Sequence, residues 1–261
     1  MTMRHRGEGS ALWHRVFRYR QLEQQLAARP DVRRILDLGC GSGENTWRLA
    51  GPTRTVFGLD LARPRLQHAR RYGPVVQGQA TVLPLAGSSL DMIYAAHVLH
   101  HVAAPGDLLR QARRCLRPGG TLLLVETLED HPLLRLGRDL HPRWNGDAVC
   151  TRLRFDELLD LVRKAGFCVL EAGQYSVLFW IWELFPERVR WLDWLTPFFV
   201  ALEVPLSRMA GRWSAHGYCV AVPHEDKLPG SCSQATSERL NANPAARPMQ
   251  HQDELPGSCS R

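Results

Sequence analysis

Ile35-Leu36-Asp37-Leu38-Gly39-Cys40-Gly41-Ser42-Gly43-Glu44-Asn45 is a short apolar run that empties into alternating glycines. Residues 35–38 are too few for a helix and end in glycine, which predicts a buried parallel strand. Gly39, Gly41 and Gly43 let the chain turn tightly and approach a ligand with no Cβ in the way. From Glu44 to Ala50 the composition turns helical, so the loop joins a strand to a helix. In a doubly wound α/β sheet that junction, at the carboxyl end of a strand, is where the ligand binds. The spacing is G-x-G-x-G, with Glu44 standing where a dinucleotide fingerprint needs its third glycine. Asp37 would repel a pyrophosphate and suits a cationic ligand instead.

Asp37-Leu38-Gly39-Cys40-Gly41-Ser42-Gly43 resembles the first motif of the class I S-adenosylmethionine (SAM) dependent methyltransferases, of the small-molecule, quinone-biosynthesis-like type. That cofactor carries a sulfonium and an α-ammonium, which gives an acid beside the loop an electrostatic purpose. The resemblance implies a Rossmann-like α/β fold. It assigns Asp37, Gly39, Cys40, Gly41 and Gly43 to cofactor binding. Thr55 to Asp60 reads as a second strand ending in an acid, and Asp60 lies about 17 residues beyond Gly43. An acid at that distance accepts hydrogen bonds from ribose hydroxyls, with Leu61 beside it. Pro74 to Gly78 reads as a third strand followed by Gln79-Ala80, where the family usually has Asp-Ala beside the adenine. Glutamine can still accept from the adenine N6 and donate to N1.

Leu90 to Ala96 is the fourth strand, and His97-Val98-Leu99-His100-His101 follows as in the family's Leu-His-His pattern. His97 stands at the carboxyl end of a central strand, facing the expected methyl acceptor, and is the proposed base, since histidine takes a proton near neutral pH; the resemblance also counts it among the cofactor contacts. His100 and His101 are expected to pack or cap. No metal is expected, because consecutive histidines on such a turn diverge. A helix over 106–116 meets the turn Arg117-Pro118-Gly119-Gly120 before a fifth strand over 121–126. The irregular stretch between Thr127 and Cys150, with His131, Arg135, His141, Arg143 and Trp144, is a candidate cap over the acceptor. Thr151 to Ala165 reads as an amphipathic helix stopped by Gly166. Phe167 to Glu171 is a sixth strand and Gly217 to Val222 the last.

The motifs run from Arg33 to Leu170 and predict a seven-stranded sheet with an antiparallel last strand. An aromatic helical insertion of roughly 45 residues, too long for a hairpin loop, precedes that strand. The domain reading is an N-terminal helical segment over 1–30, with Ser10 as its N-cap, a methyltransferase domain over 31–223 containing the insertion at 175–215, and a tail over 224–261. In the insertion Pro186 and Pro197 separate short helices, Thr196 being placed as an N-cap. Glu187, Arg190 and Asp193 give the middle helix one polar stripe. Three readings of the insertion stay open: a lid on an apolar substrate pocket, a membrane-surface element, or a homodimer interface. The tail nearly repeats itself, Asp226 to Ser233 against Asp253 to Ser260, and its composition predicts disorder.

The chain has 261 residues, 44% hydrophobic and 23% charged, with a net charge of +7. That leaves room for one full α/β domain. The basic balance alone is compatible with nucleic acid, but Lys164 and Lys227 are the only lysines. No motif for flipping an amino base is present, which argues against a nucleic-acid methyltransferase. Seven cysteines without a C-x-x-C pair predict reduced thiols and a cytoplasmic protein. The expected reaction moves a methyl group to O, N or C of a small, lipophilic acceptor, chiefly through proximity and orientation. The alternatives are a SAM-binding regulatory or scaffold protein without turnover, a nucleic-acid methyltransferase and, disfavoured by Glu44, an NAD-dependent oxidoreductase.

Overall fold

The computed structural model describes residues 14–140, 149–178 and 194–224. Seven strands form one sheet: β1 (Arg34–Leu38), β2 (Thr55–Asp60), β3 (Val75–Gln77), β4 (Leu90–Ala96), β5 (Leu116–Thr127), β6 (Phe167–Tyr175) and β7 (His216–Pro223). Their order is β3-β2-β1-β4-β5-β7-β6. The first five strands are parallel to one another, and β7 runs antiparallel to both β5 and β6. The expected antiparallel last strand is present, inserted between β5 and β6. The strand order reverses between β1 and β4, which makes the carboxyl ends of these two the switch point where doubly wound sheets bind ligands.

Around the sheet lie α1 (Arg20–Ala28), α2 (Glu44–Leu49), α3 (Arg63–Ala69), α4 (Pro105–Cys115), α5 (Pro132–Leu140), α6 (Phe155–Lys164) and α7 (Thr196–Met209). A π-helical stretch, His14–Tyr19, leads into α1. Every residue of β4 is buried, as expected of a central parallel strand covered on both faces. One face packs Leu36, Leu38, Ile93, Leu122 and Leu124 against Leu108, Leu109 and Ala112 of α4 and Leu158 and Val162 of α6. The other packs Ile35, Met92, Tyr94, Leu123 and Val125 under Leu22 and Leu26 of α1, with Phe199, Val200 and Val204 of α7 on the same cluster. Successive strand residues therefore feed opposite cores.

Asp91, the second residue of β4, accepts the N–H groups of Arg33 and Arg34 at 2.7 and 2.8 Å. Arg117 Nε sits 2.9 Å from its other oxygen. This side-chain bracket sets where β1 begins. Residues 117–120, expected as a turn, lie within β5, since Leu116 already pairs with Leu90 across a register shift. Gly119, at φ +70°, absorbs the bend. The sixth helix is shorter than expected, because the Arg154 N–H bonds to Glu157 of the first turn and starts it at Phe155.

Cys40, Cys115 and Cys219 are free thiols. Cys168 is disulfide-bonded, against the expectation that all seven are reduced, and sits on β6, an edge strand with one flank open. Ser10, most of the insertion including Pro186, Glu187, Arg190 and Asp193, the cap residues His141, Arg143 and Trp144, and the tail from 225 lie outside the described residues. Thr196 opens α7, with Leu195 rather than Thr196 as its N-cap. No helix among the described residues is long and apolar enough to cross a membrane.

Candidate cofactor and acceptor site

The glycine loop leaves β1 at the switch point. Gly39 and Cys40 both donate their N–H to the carbonyl of Leu59, at 2.7 and 3.0 Å, which stitches the loop to β2. Gly39, Gly41 and Gly43 have φ values of +71°, +54° and +89°, all in the left-handed region. A Cβ on Gly39 would fall 2.4 Å from Cγ2 of Val98, and one on Gly43 would meet Tyr72 and Ala69 at 2.7 and 2.8 Å. One on Gly41 would meet nothing within 4 Å. Two of the three glycines therefore serve close packing, and the third keeps a space clear.

Asp37 is fully buried, and its Oδ2 accepts from the Thr46 hydroxyl at 2.6 Å, tying α2 to β1 beneath the loop. Its charge can reach a ligand only through space, where burial weakens screening. Asp60 is half-buried at the end of β2. Its Oδ2 accepts from Gly41 N and its Oδ1 from Ala62 N, each at 2.8 Å. Each oxygen keeps a lone pair for a further donor. Gly78 N donates to the Asp60 carbonyl at 3.1 Å, which brings Gln79 and Ala80 alongside Asp60 and Leu61. Leu61 is 65% exposed, and Gln79 is exposed as well.

The thiol of Cys40 turns away from this surface into a cluster with Leu66 and Ala69. Burial, with Asp37 and Asp60 nearby, pushes it up to about 12. A Cβ on Gly58 would fall 2.8 Å from that sulfur. Cys40 therefore borders the loop through its backbone, with its thiol making only a long contact of 3.9 Å to the Gly41 carbonyl. Tyr19, just ahead of α1, donates to Glu44 Oε1 at 2.5 Å, and the Arg48 guanidinium lies 3.7 Å over its ring. The N-terminal helix is thereby fastened to the helix that follows the loop.

His97 follows β4 with a φ of +58°, a conformation uncommon for a residue with a side chain. Its N–H donates to Val125 O at 2.8 Å, and its Nδ1 lies 3.0 Å from the hydroxyl oxygen of Thr127. Those two contacts orient the ring at the carboxyl edge of the sheet. His100 has a structural partner: its Nδ1 is 2.7 Å from Oε2 of Glu126. The fully buried Glu126 also accepts from the N–H groups of Val98 and Leu99, both at 2.7 Å, and so fixes the turn carrying the histidines. No group of three or more potential ligands able to hold a metal ion occurs among the described residues.

The sequence reading did not single out His216 or Tyr175. His216 opens β7 opposite Thr127, packs edge-on to His97 at 5.4 Å between centroids, and stacks on Tyr175 at 5.4 Å. The signal was indirect: an antiparallel strand entering beside β5 must begin where β5 ends. His131 of the expected cap is buried, with Nε2 3.2 Å from Val177 O and Nδ1 accepting from Leu134 N at 3.3 Å. It secures the start of α5 to the segment after β6.

A glycine loop at the switch point, an acid closing β2 and an antiparallel seventh strand define a Rossmann-like protein of the methyltransferase type. A family model described as a methyltransferase domain matches residues 36–124. A ubiquinone biosynthesis O-methyltransferase of Cereibacter sphaeroides is 30% identical over 167 residues, covering 58% of this chain and 67% of that protein. An uncharacterized 37.1 kDa protein in transposon Tn4556 of Streptomyces fradiae is 35% identical over 158 residues, 55% of this chain and 46% of that protein. The matched stretches thus span about half to two thirds of these relatives. The crystal structure of a SAM-dependent methyltransferase of Thermotoga maritima, at 20% identity and a TM-score of 0.54 over 81% of this chain and 93% of that one, shares the fold. The chain belongs to the SAM-dependent methyltransferase family.

Proposed function

We propose that the protein transfers the methyl group of SAM to a small, lipophilic acceptor, with a hydroxyl oxygen as the attacking atom. The observation that carries this reading is the convergence of the glycine loop, Asp60 and His97 on the carboxyl ends of neighbouring strands. The residues fit the cofactor: Gly41 leaves its Cβ side clear, Asp60 keeps lone pairs for ribose hydroxyls, and the buried Asp37 supplies negative charge below the loop. Leu61, Gln79 and Ala80 would border the adenine, and Gly39, Gly43 and Cys40 would shape the loop through their backbone. Bound there, SAM supplies an electrophilic methyl on a good leaving group.

The chain's own task is positioning and proton removal. His97, oriented by Val125 O and the Thr127 hydroxyl, takes the acceptor proton on Nε2. His216 and Tyr175 wall the same edge. A lipophilic acceptor is supported by the aromatic lining there and by the apolar helix α7 beside it. The relative named an O-methyltransferase supports oxygen over nitrogen or carbon.

Calorimetry with SAM tests the cofactor half: wild type binds, and Asp60→Ala weakens binding about 10- to 100-fold, the worth of a charge-assisted hydrogen bond. No binding by the wild type ends the proposal. Labelled SAM incubated with the protein and a lipophilic extract tests the acceptor half; cofactor binding without label transfer would favour a SAM-binding regulator. His97→Ala with an unchanged pH profile of turnover would return His97 to a packing role.

A further inference from the structure

We propose that the outward face of α7 docks on an anionic bilayer surface. The helix presents its residues in inverted order. Between Trp194 and Ser207 the only charged residue is Glu203, and it points inward. Glu203 is fully buried, with Oε1 accepting from Val177 N at 2.7 Å and the Ser207 hydroxyl at 2.6 Å, and Oε2 accepting from Leu178 N at 2.8 Å. The outward residues are apolar. Trp194 is 74% exposed, Phe198 58% and Met209 85%, with Leu202 between them and Trp213 just beyond. Spaced four residues apart from Trp194 to Leu202, with Met209 two turns further on, they form a stripe roughly 20 Å long at 1.5 Å per residue.

A surface stripe of this kind marks an interaction site rather than chance exposure. Its chemistry selects the partner. Protein interfaces carry about one hydrogen bond per 100–200 Å², whereas the exposed face from Trp194 to Leu206 holds no hydrogen-bonding side chain beyond the indole of Trp194. Tryptophans at both ends suit the boundary between headgroups and acyl chains. The net charge of +7 adds long-range attraction to anionic headgroups. The described helices do not span a bilayer, so the contact is one of lying on the surface.

The anchor also stands beside the reaction edge. Glu203 grips Val177 and Leu178, two and three residues beyond Tyr175, whose ring stacks on His216 next to His97. A helix lying in the headgroup layer would hold that edge against the phase in which a lipophilic acceptor dissolves.

The test is co-sedimentation of the full chain with vesicles of phosphatidylcholine alone and with added phosphatidylglycerol. Wild type and the Trp194→Ser/Phe198→Ser/Met209→Ser variant are compared, and SAM calorimetry on both reads the cofactor site separately. Wild type should partition onto the phosphatidylglycerol vesicles at least about tenfold more than the variant, with SAM affinity unchanged between them. Because the substitutions place polar groups at exposed sites, the fold is retained; the single Phe198→Ser change provides a second reading in the same direction. Wild type remaining in the supernatant with both vesicle types overturns the proposal, as does a variant that sediments like wild type. A wild-type dimer in sedimentation velocity that the variant abolishes would overturn it in favour of a second copy of the chain.

Discussion

Alanine at Gly39 and alanine at Gly41 are expected to damage the protein in different ways. Both positions have positive φ, and the left-handed region costs alanine about 1 kcal/mol. At Gly39 the new methyl would also sit 2.4 Å from Cγ2 of Val98. Overlap of that kind in a packed interior adds about 1–3 kcal/mol, for a total of about 2–4 kcal/mol. At Gly41 the methyl meets nothing within 4 Å, which leaves the conformational cost alone. In a domain of this size each kcal/mol lowers Tm by about 2–4 °C. Gly39→Ala should therefore melt roughly 4–16 °C below wild type and Gly41→Ala roughly 2–4 °C below. The order reverses for the cofactor. The Gly41 methyl occupies the space assigned to SAM and should weaken its binding about tenfold or more, measured by calorimetry on the folded variants. Equal losses of Tm would refute the steric assignment at Val98. Unchanged SAM affinity in Gly41→Ala would refute the claim that the open side of Gly41 is cofactor volume.

Removing the Glu126 carboxylate by Glu126→Ala strands the buried N–H groups of Val98 and Leu99 and should cost about 3–5 kcal/mol in urea unfolding, with Glu126→Gln milder because one oxygen remains. Glu203 is held above the ordinary glutamate range by burial, against the pull of Ser207, Val177 and Leu178. The native state thus holds that proton more tightly than the unfolded chain. Stability falls as pH rises from the ordinary glutamate value through the raised native one, and Glu203→Gln should flatten that part of the wild-type curve. Burial also raises the thiols of Cys40 and Cys219, each to about 12. Iodoacetamide at pH 8 followed by peptide mass spectrometry should therefore find the exposed Cys150 modified well before either.

The sequence announced the elements whose cause is local. Residues 35–38 could be read as a strand because apolar length and a glycine stop are properties of neighbours in the chain. Asp60 could be placed because strand, acid and helix follow one another. What escaped reading depends on contacts far along the chain. Glu126 looked like the last residue of a strand, yet it serves the backbone of residues 28 and 27 positions earlier. His216 meets His97 only because β7 enters between β5 and β6. Glu203 defeated the usual assumption that charge faces water, since its partners, Val177 and Leu178, lie across an insertion whose path periodicity does not reveal. Residues 117–120 carried a turn signature that the sheet overrode by pairing Leu116 with Leu90.

The reversed direction of β7 has a practical side. It begins at His216, on the rim that holds the histidines, and ends at Pro223 on the opposite rim, where His224 N bonds to Gly166 O at 2.8 Å. A handle joined at His224 itself, whether a fluorophore, an affinity sequence or a linker to a sensor chip, would leave from the rim opposite the glycine loop and His97. Attachment at that end is thus the orientation in which an immobilised molecule would present its glycine loop and α7 to solution.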